Sequence, residues 1–356
     1  MSRAPTLRQV VGSLESCGEK FSLVHLGGGA QVVVTGYGGR ILGPFFGEEE
    51  ECPLWLSPSL ADAGALSKFL AERSWNVGGD RVWVAPELRY NLRDRARFRE
   101  TYDLQPALDP GSYSLQEGGA AACGLAQEIQ LLAFDHQDRS KRLHIQRDVR
   151  AVDDPLRDLA GYREIAGNLR YAGYEHEVTL TDRAPDDVCS QAWNITQVPP
   201  GGAVLIPTVP GLEYADHWNP ADAEHLRVFR HHMEARIKGD CKYKIELKAA
   251  HHFGRSGYFR VLQPGRAVLM VKLSFNNPSE HYVMEAPQAP GVRGYSYDIY
   301  HDDGGLGGFG EMECHGRPIG GQTRRASSTD QFINWFYTGQ EAAVRKAALH
   351  LLGTEI

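Results

Sequence analysis

Residues 75–87, WNVGGDRVWVAPE, bring an arginine, a tryptophan and a glutamate together in one short segment. Under the two-residue period of a strand, the two valines share one face, and Arg81 and Trp83 share the other. A flat apolar ring beside a fixed fork of guanidinium donors suits a sugar ring and its hydroxyl groups. The segment alone equally fits an arginine stacked on a tryptophan at a sheet surface. Arg81, Trp83 and the terminal Glu87 are therefore candidate substrate-binding residues.

A second segment, GFGEMECHGRP at 308–318, places ionisable side chains along one face of a predicted strand. Glu311, Glu313 and His315 share that face, and the methionine and cysteine between them share the other. Neighbouring carboxylates repel each other and can raise a pKa into the range that a general base needs, provided that the face is partly buried. If the face is simply wet, the same residues form an ordinary polar side of a strand.

Two lysines occupy predicted strands. Lys272 lies in the apolar run AVLMVKLSF and Lys244 in YKIEL. Because a buried ammonium group is costly unless it is paired, such a lysine either lines a polar cavity or points out from a sheet edge. We expect Lys272 to line a polar cavity, since its neighbours are too apolar for an exposed edge, and Lys244 to lie at an edge.

Two histidines are candidates for a general acid. His176 alternates with glutamates in a predicted strand, and His252 follows a strand shortly before a glycine. An imidazole titrates near neutral pH and can donate or accept a proton. The alternative for each is a hydrogen-bonded histidine in the core or in a loop.

The sequence contains none of the short motifs that bind nucleotides, hold zinc in a metalloprotease or form a hydrolase nucleophile elbow. The six cysteines are widely scattered, which argues against a zinc site and against a disulfide framework. Asp302 and Asp303 before two glycines are better explained as a turn than as calcium ligands. We therefore expect no cofactor, no metal and free, mostly buried thiols.

The composition limits the class of partner. Thirty-eight basic and 45 acidic residues give a net charge of −7 without long runs of one sign, which argues against nucleic acid and anionic membranes as partners. No run of about 18 apolar residues occurs, and the amino terminus lacks the apolar core of a signal peptide. These features predict a cytoplasmic protein that binds a small neutral molecule, and they leave its oligomeric state open.

The predicted elements are mainly strands. Short β-branched runs separated by glycine clusters begin at residue 21, and strand-like segments recur at intervals of roughly ten to fifteen residues. Helices are predicted at 59–73, at 220–238, where apolar residues have helical spacing after an Asn-Pro pair, and at 338–353, where a capping box precedes a run of helix formers. The chain is predicted to be one large antiparallel β-sandwich domain spanning 1–356.

The order of these segments resembles the aldose 1-epimerase, or galactose mutarotase-like, superfamily over most of the chain. The segments that carry the resemblance are GYGGRILGPFF (36–46), WNVGGDRVWVAPE (75–87), AWNITQVPPGG (192–202), YKIEL (243–247), VLMVKLSF (268–275) and GEMECHGRP (310–318). The resemblance implies a β-supersandwich with a sugar site on the concave face of the larger sheet. It also implies that Arg81 holds the sugar and that Glu313 removes the proton of the anomeric hydroxyl.

The chain departs from that family at its histidines. The strand expected to carry the acid histidine reads AWNITQV, with Trp193 and Gln197 but no histidine, and the family's earlier histidine has no counterpart near Glu87. The acid is then His176, His252 or a lysine, and the remaining candidates for substrate binding are Trp83, Trp193, Gln197, Lys272, Glu311 and His315.

Three hypotheses remain open. The first is an aldose epimerase or mutarotase with Glu313 as base. The second is a lyase or glycoside-cleaving enzyme, in which Arg81 and Lys272 neutralise the carboxylate of a uronate. The third is a carbohydrate-binding protein without turnover, which the missing histidines favour.

Overall fold

The computed structural model describes residues 4–218 and 220–355. The α-helices in these ranges are α1 (Leu7–Ser16), α2 (Ala63–Ala71), α3 (Glu87–Tyr90), α4 (Phe98–Thr101), α5 (Tyr162–Ile165) and α6 (Glu341–Leu352). The strands are β1 (Phe21–His25), β2 (Gln31–Thr35), β3 (Ile41–Phe45), β4 (Asp80–Ala85), β5 (Ser114–Glu117), β6 (Ala122–Ala133), β7 (Arg139–Ala151), β8 (Arg170–Asp182), β9 (Gln191–Val198), β10 (Gly202–Pro207), β11 (Tyr214–Asp216), β12 (Leu226–Val228), β13 (His232–Ile237), β14 (Tyr243–Lys248), β15 (Arg255–Gln263), β16 (Arg266–Ser274), β17 (Tyr295–His301), β18 (Gly310–His315) and β19 (Ser327–Gln340).

The strands form two large sheets with antiparallel pairing throughout. One sheet has the order β1-β2-β3-β4-β9-β18-β17-β14-β11, and the other has the order β12-β13-β10-β15-β16-β19-β8-β7-β6-β5. Valine-rich β2 and β4 and the alternating burial of β7 and β8 show why these segments form strands, because β-branched side chains pack well on a pleated surface. The prediction of a large, mainly β antiparallel sandwich is confirmed.

A polar cluster lies among the apolar side chains between the two sheets, and we call it the Asp80 cluster. The carboxylate of Asp80 is fully buried and accepts hydrogen bonds from Asn194 at 2.6 Å, Thr196 at 3.0 Å and Asn334 at 3.1 Å. Its cationic neighbour is Lys272, whose Nζ lies 3.6 Å away. Buried polar groups persist only when they are paired, and this cluster ties strands of both sheets together through β4, β9, β16 and β19.

The predicted helix at 59–73 is confirmed as a short 3₁₀ turn followed by α2, which Asp62 caps through Ala65 N–H. Helix α1 was not predicted. Its amino-terminal signal is a capping box in which Thr6 and Gln9 each accept from the other's backbone N–H. That signal is present in the sequence and precedes the first apolar positions of the helix.

The helix predicted at 220–238 is wrong. The segment forms β12 and β13, in which Met233, Ala235 and Ile237 are buried in alternation. Met233 and Ile237 are four residues apart and therefore fit a helical period and a strand period equally well. The buried Ala235 between them distinguishes the two. Residues 281–285 do not form an extended strand and make a single bridge through Met284.

The carboxy-terminal helix is confirmed, but its predicted start is wrong. Thr338 belongs to β19, and α6 begins at Glu341 after Gln340, which provides no side-chain cap. The helix ends as expected, with Gly353 in the left-handed conformation at φ 69°. Helix α6 packs on β15, β16 and β19 through Val344, Ala348 and Leu352.

Free thiols are confirmed for all six cysteines, of which three are buried and three are half-buried. None of the helices within 4–218 and 220–355 is long and apolar enough to cross a membrane.

Candidate functional site

A cavity of about 600 Å³ lies on the outer face of the nine-stranded sheet, where β4, β9, β18, β17 and β14 run side by side. Its wall is rich in aromatic and ionisable side chains. The lining residues are Trp75, Arg81, Trp83, Glu87, Phe98, Tyr102, Leu104, Trp193, Trp218, Lys242, Lys244, Tyr300, Asp303, Leu306, Phe309, Glu311 and Glu313.

The strand register explains why distant residues meet there. Arg81 on β4 pairs with Ile195 on β9, which pairs with Glu313 on β18, and Glu313 pairs with Asp298 on β17. Paired residues on neighbouring strands stand side by side on the same face of the sheet, so Arg81 and Glu313 lie in one row across β4, β9 and β18. The two-residue period predicted from the sequence therefore places Arg81, Trp83, Glu311 and Glu313 on the cavity face.

Lys244 lies at the centre of the charged part of the cavity. Its Nζ is 2.9 Å from Glu87, 3.1 Å from Glu313 and 3.6 Å from Asp298, and 4.5 Å above the ring of Trp193. Burial by itself would lower the pKa of Lys244, but the surrounding carboxylates outweigh burial and hold the pKa well above its usual range. Lys244 is therefore a cation at neutral pH.

The prediction that Lys244 lies at a sheet edge is wrong. Strand β14 is the next-to-last strand of its sheet, because β11 pairs along its outer side. The lysine side chain is almost completely buried, with 2% of its surface exposed. Ion pairs with carboxylates from α3 and β18 make this burial tolerable.

Glu313 is a buried carboxylate with one strong donor. Its Oε2 accepts a hydrogen bond from Trp193 Nε1 at 2.9 Å and pairs with Lys244. Burial raises the pKa of Glu313 well above its usual range; Lys244 opposes that shift, and Asp298 and Glu311 add to it. A carboxylate with a raised pKa is a stronger base once it is ionised.

Arg81 has unused hydrogen-bonding capacity. Its Nη2 donates to Glu311 at 2.8 Å, whereas Nε and Nη1 are buried and donate to no protein acceptor. The guanidinium lies 4.5 Å from the centre of the Trp83 ring and 5.4 Å from that of Trp75. Buried donors without partners are uncommon in folded proteins, and here they border an open cavity.

Glu311 and Gln197 support this arginine. Gln197 Nε2 donates to the same Glu311 oxygen that accepts from Arg81, at 2.9 Å. Gln197 Nε2 also donates to Asn76, in the turn before β4. Gln197 is not among the residues that line the cavity. Gln197 therefore orients Glu311, and the amide itself lies behind the cavity wall.

The aromatic part of the wall is a chain of edge-to-face contacts. Trp75 meets Trp83 at 5.7 Å between ring centres, and Trp83 meets Trp193 at 5.4 Å. Trp83 is fixed from behind by a hydrogen bond from its Nε1 to Asp109 at 2.7 Å. Trp218 packs edge-to-face against Tyr300, and its Nε1 is buried without a hydrogen-bond partner. These rings give the cavity rigid flat surfaces.

Two predicted site residues, His176 and Lys272, lie in the Asp80 cluster between the sheets and do not reach the cavity. His176 accepts from Arg147 at 2.8 Å and lies 3.3 Å from Asp80, and burial lowers its pKa to about 4. Lys272 donates to Thr196 at 2.6 Å. The cavity predicted around Lys272 is thus a closed polar cluster, because β16 belongs to the ten-stranded sheet and turns this side chain inward.

The other two predicted histidines, His252 and His315, lie outside the cavity lining. His252 shares a hydrogen bond with Ser296 at 2.8 Å, and burial lowers its pKa to about 3. His315 pairs with Asp298 at 3.0 Å and stacks on Trp193 at 5.8 Å between ring centres. His315 therefore contributes by holding Asp298 and Trp193 in place.

The sequence reasoning missed His217, which follows β11. Its Nδ1 shares a hydrogen bond with Glu246 at 2.8 Å, and its Nε2 lies 3.7 Å from Glu87 without a hydrogen-bond partner. Burial lowers the pKa of His217 to about 3, so the ring is neutral. An imidazole does therefore lie beside Glu87 in the fold, although none lies near Glu87 in the sequence.

Comparison with known proteins supports the fold through structure alone. No protein-family model matches the chain, and no curated protein matches it. A putative aldose 1-epimerase from Escherichia coli K12 is 12% identical, with a TM-score of 0.50 over 90% of this chain and 99% of that chain. A galactose mutarotase-like protein from Lactobacillus casei ATCC 334 is 8% identical, with a TM-score of 0.47 over 90% of this chain and 100% of that chain. The chain therefore shares the β-sandwich fold of the putative aldose 1-epimerase, as the sequence resemblance predicted.

Proposed function

We propose that the protein is a sugar isomerase of the aldose 1-epimerase type, which interconverts the anomers of a neutral monosaccharide. Glu313 acts as the base, Lys244 acts as the acid, and Arg81 holds the sugar. The observation that carries the proposal is the meeting of a buried carboxylate of raised pKa and a buried ammonium group, 3.1 Å apart, on the floor of an aromatic cavity.

The reaction requires one proton to leave the anomeric hydroxyl and one to reach the ring oxygen. Glu313 takes the proton of O1 as the bond between C1 and the ring oxygen breaks, with the electron pair going to the ring oxygen. Lys244 supplies the proton that this oxygen gains. Rotation about the C1–C2 bond exposes the other face of the aldehyde, and the two transfers in reverse close the ring as the opposite anomer.

Lys244 is the acid that remains after the histidines are considered. His176 and His252 lie outside the cavity lining, and the depressed pKa of each keeps it neutral. Lys244 lines the cavity and contacts Glu313 and Glu87. Its high pKa makes it a weak proton donor at rest, and the developing negative charge on the ring oxygen makes the transfer favourable at the moment of bond breaking.

The charge balance of the cavity favours a neutral sugar over a uronate. Of the lining residues, three are cationic and four are anionic, and these are Arg81, Lys242, Lys244, Glu87, Asp303, Glu311 and Glu313. Arg81 and Lys244 already pair with carboxylates of the protein. A lyase that acts on uronates needs unpaired cations to neutralise the substrate carboxylate, and this cavity offers few.

Polarimetry of freshly dissolved aldoses, with glucose and galactose as the first pair, tests the proposal. We expect the protein to accelerate mutarotation and Glu313→Gln to abolish the acceleration, because the amide cannot take a proton. Glutamine keeps an acceptor for Trp193 Nε1, so the substitution removes the base while preserving the wall. Glu128→Gln, at an exposed position on the other sheet, is the matched control and should leave the rate unchanged.

Two outcomes would overturn the proposal. Acceleration that persists in Glu313→Gln would remove Glu313 from the chemistry. Calorimetric binding of a sugar by both wild type and Glu313→Gln, with no acceleration by either, would instead identify a binding protein.

A further inference from the structure

A second group of ionisable side chains lies away from the cavity lining, where the loop before β12 meets the loop that joins β13 of one sheet to β14 of the other. His225 ends the first loop, and Asp240 and Cys241 lie in the second, which we call the β13–β14 loop. Each of three residues offers one possible ligand atom: a ring nitrogen of His225, a carboxylate oxygen of Asp240 and the sulfur of Cys241. These three atoms lie within 4.8 Å of one another. Imidazole, carboxylate and thiolate are the three groups that bind zinc in proteins.

The imidazole of His225 is held at both ends. Its Nδ1 lies 2.7 Å from Asp222, and its Nε2 lies 2.8 Å from Asp240. A neutral imidazole has only one N–H, so one of these contacts lacks a proton unless the ring is charged. A carboxylate on the far nitrogen of a histidine is the arrangement that orients a metal-binding imidazole and fixes its tautomer. Asp222 occupies that position, which leaves Nε2 to face Asp240 and Cys241.

The nearby His301 is not available as a ligand. Its Nε2 accepts from the backbone N–H groups of Lys238 and Gly239, at 2.8 and 3.1 Å. Its Nδ1 lies 2.5 Å from the carbonyl oxygen of Cys241 and must donate to it. Both nitrogens are used, and His301 serves to fix the β13–β14 loop that carries Asp240 and Cys241.

We propose that His225 Nε2, the carboxylate of Asp240 and Cys241 Sγ form a binding site for a divalent transition metal of the zinc class. Tetrahedral bonds of about 2.0–2.3 Å would place these atoms about 3.3–3.6 Å apart. The contact of 2.8 Å between His225 Nε2 and Asp240 would therefore open slightly as the ion enters between them. The neutral imidazole, the carboxylate and the thiolate balance the two charges of the ion.

The proposed site has a path to solvent and a position for a fourth ligand. Asp240 is 55% exposed at its side chain, whereas His225 is 8% exposed. Three protein ligands leave one tetrahedral position, which water fills on the exposed side. A thiol binds a metal ion as the thiolate, so metal binding at Cys241 releases the thiol proton.

Cobalt(II) titration of protein pretreated with a chelator tests the site, because a thiolate ligand gives cobalt a charge-transfer band in the near ultraviolet. We expect one cobalt per chain with this band, and we expect zinc to displace it. Cys241→Ser should abolish the band, and Asp222→Asn should weaken zinc binding by about 10- to 100-fold, the usual effect of losing a carboxylate behind a metal-binding histidine.

Cys17→Ser is the matched control. The half-buried thiol of Cys17, at the end of α1, donates to the carbonyl oxygen of Ala63, and its removal should not affect the band. Thermal unfolding of each variant in chelator reports whether it folds. The absence of a stoichiometric cobalt band from folded wild-type protein, or the same band in folded Cys241→Ser, would overturn the proposal. Mutarotation is not part of this readout, so the experiment tests the metal site independently of the proposed isomerase activity.

Discussion

The ammonium group of Lys244 and the carboxylate of Glu313 pair across an intervening strand. Lys244 belongs to β14 and Glu313 to β18, with β17 between them, and the two groups meet at 3.1 Å above Asp298 of that middle strand. Two strands that share no ladder are thus connected by one ion pair at the floor of the cavity. In the proposed reaction these two groups are the acid and the base, and their pairing also contributes to the stability of the site.

Removal of the Lys244 charge should damage both properties. Lys244→Met leaves the carboxylates of Glu87 and Glu313 buried without their cation, and we expect a loss of about 3–5 kcal/mol in the free energy of unfolding. Chemical denaturation measures this loss. Lys242→Met is the control two residues away, at a half-buried lysine that contacts the Tyr300 ring at 5.9 Å, and should cost much less. Equal losses in the two variants would contradict the central role of Lys244.

The pH dependence of catalysis should reflect the raised pKa of Glu313. A base must be ionised, so kcat/KM should rise with pH through an apparent pKa above the ordinary glutamate value of about 4.3. Polarimetric initial rates at low sugar concentration measure this limb. An acidic limb at or below the ordinary value would show that the base is another group.

The same shift should appear in stability. The pKa of Glu313 is higher in the folded chain than in the unfolded chain, so the folded state favours the protonated carboxyl group. The contribution of Glu313 to stability is complete below its unfolded pKa and is lost as pH rises through the folded pKa. Denaturation of wild type and Glu313→Gln across this range should show wild type losing stability relative to the variant as pH increases. A constant difference would contradict the shift.

Arg81→Lys should weaken sugar binding. Lysine keeps the positive charge but lacks the guanidinium group. The Nε and Nη1 of that group have no protein acceptor and are the donors that we expect to bind the sugar. If each lost hydrogen bond from a charged donor is worth about 1.5–3 kcal/mol, loss of one bond raises Kd by about 10- to 150-fold. Isothermal titration with the best sugar substrate measures Kd. Arg150→Lys, at an exposed arginine of the other sheet, should bind as wild type does.

Asp80→Asn should destabilise the sandwich without changing the cavity wall. Burial would raise the pKa of Asp80, but Lys272 and His176 outweigh burial and hold the pKa below its usual range. The amide leaves Lys272 without its anion, and we expect a loss of about 3–5 kcal/mol. Urea denaturation measures the loss, with the exposed Asp158→Asn as control. A loss below about 1 kcal/mol would show that the other polar groups of the cluster suffice.

Gly79→Ala should destabilise the turn that leads into β4. Gly79 has φ 73°, and an added Cβ would lie 2.4 Å from the carbonyl oxygen of Ile41. Gly119→Ala is a matched control at φ 86° with no atom within 4 Å of its Cβ, so it carries the backbone strain without the clash. We expect about 1 kcal/mol for the control and more for Gly79→Ala, measured by thermal unfolding. Equal effects would show that the turn adjusts freely.

Much of the site follows from periodicity, and the rest depends on the pairing of distant strands. The two-residue period placed Arg81 with Trp83 and Glu311 with Glu313, and all four line the cavity. Periodicity states which side chains share a face, but it does not state which face a sheet turns toward its partner. For this reason Lys272 could be recognised as buried, whereas its location between the sheets could not.

The position of Lys244 illustrates the same limit. Whether β14 lies at an edge depends on β11, a three-residue strand without a strong sequence signal. His217 follows β11 and comes near Glu87 only because β11 pairs with β14. The aldose 1-epimerase resemblance correctly predicted the sandwich.

The edge-to-face tryptophans give this protein an internal optical reporter. Trp75, Trp83, Trp193 and Trp218 line the cavity, and they are four of the six tryptophans in the chain. Three of these indoles lie beside the charges of Arg81 and Lys244, so their emission is sensitive to any molecule that displaces water from that space. Intrinsic fluorescence can therefore follow occupancy of the cavity in unlabelled protein, and a panel of sugars can be ranked before any reaction has been assigned.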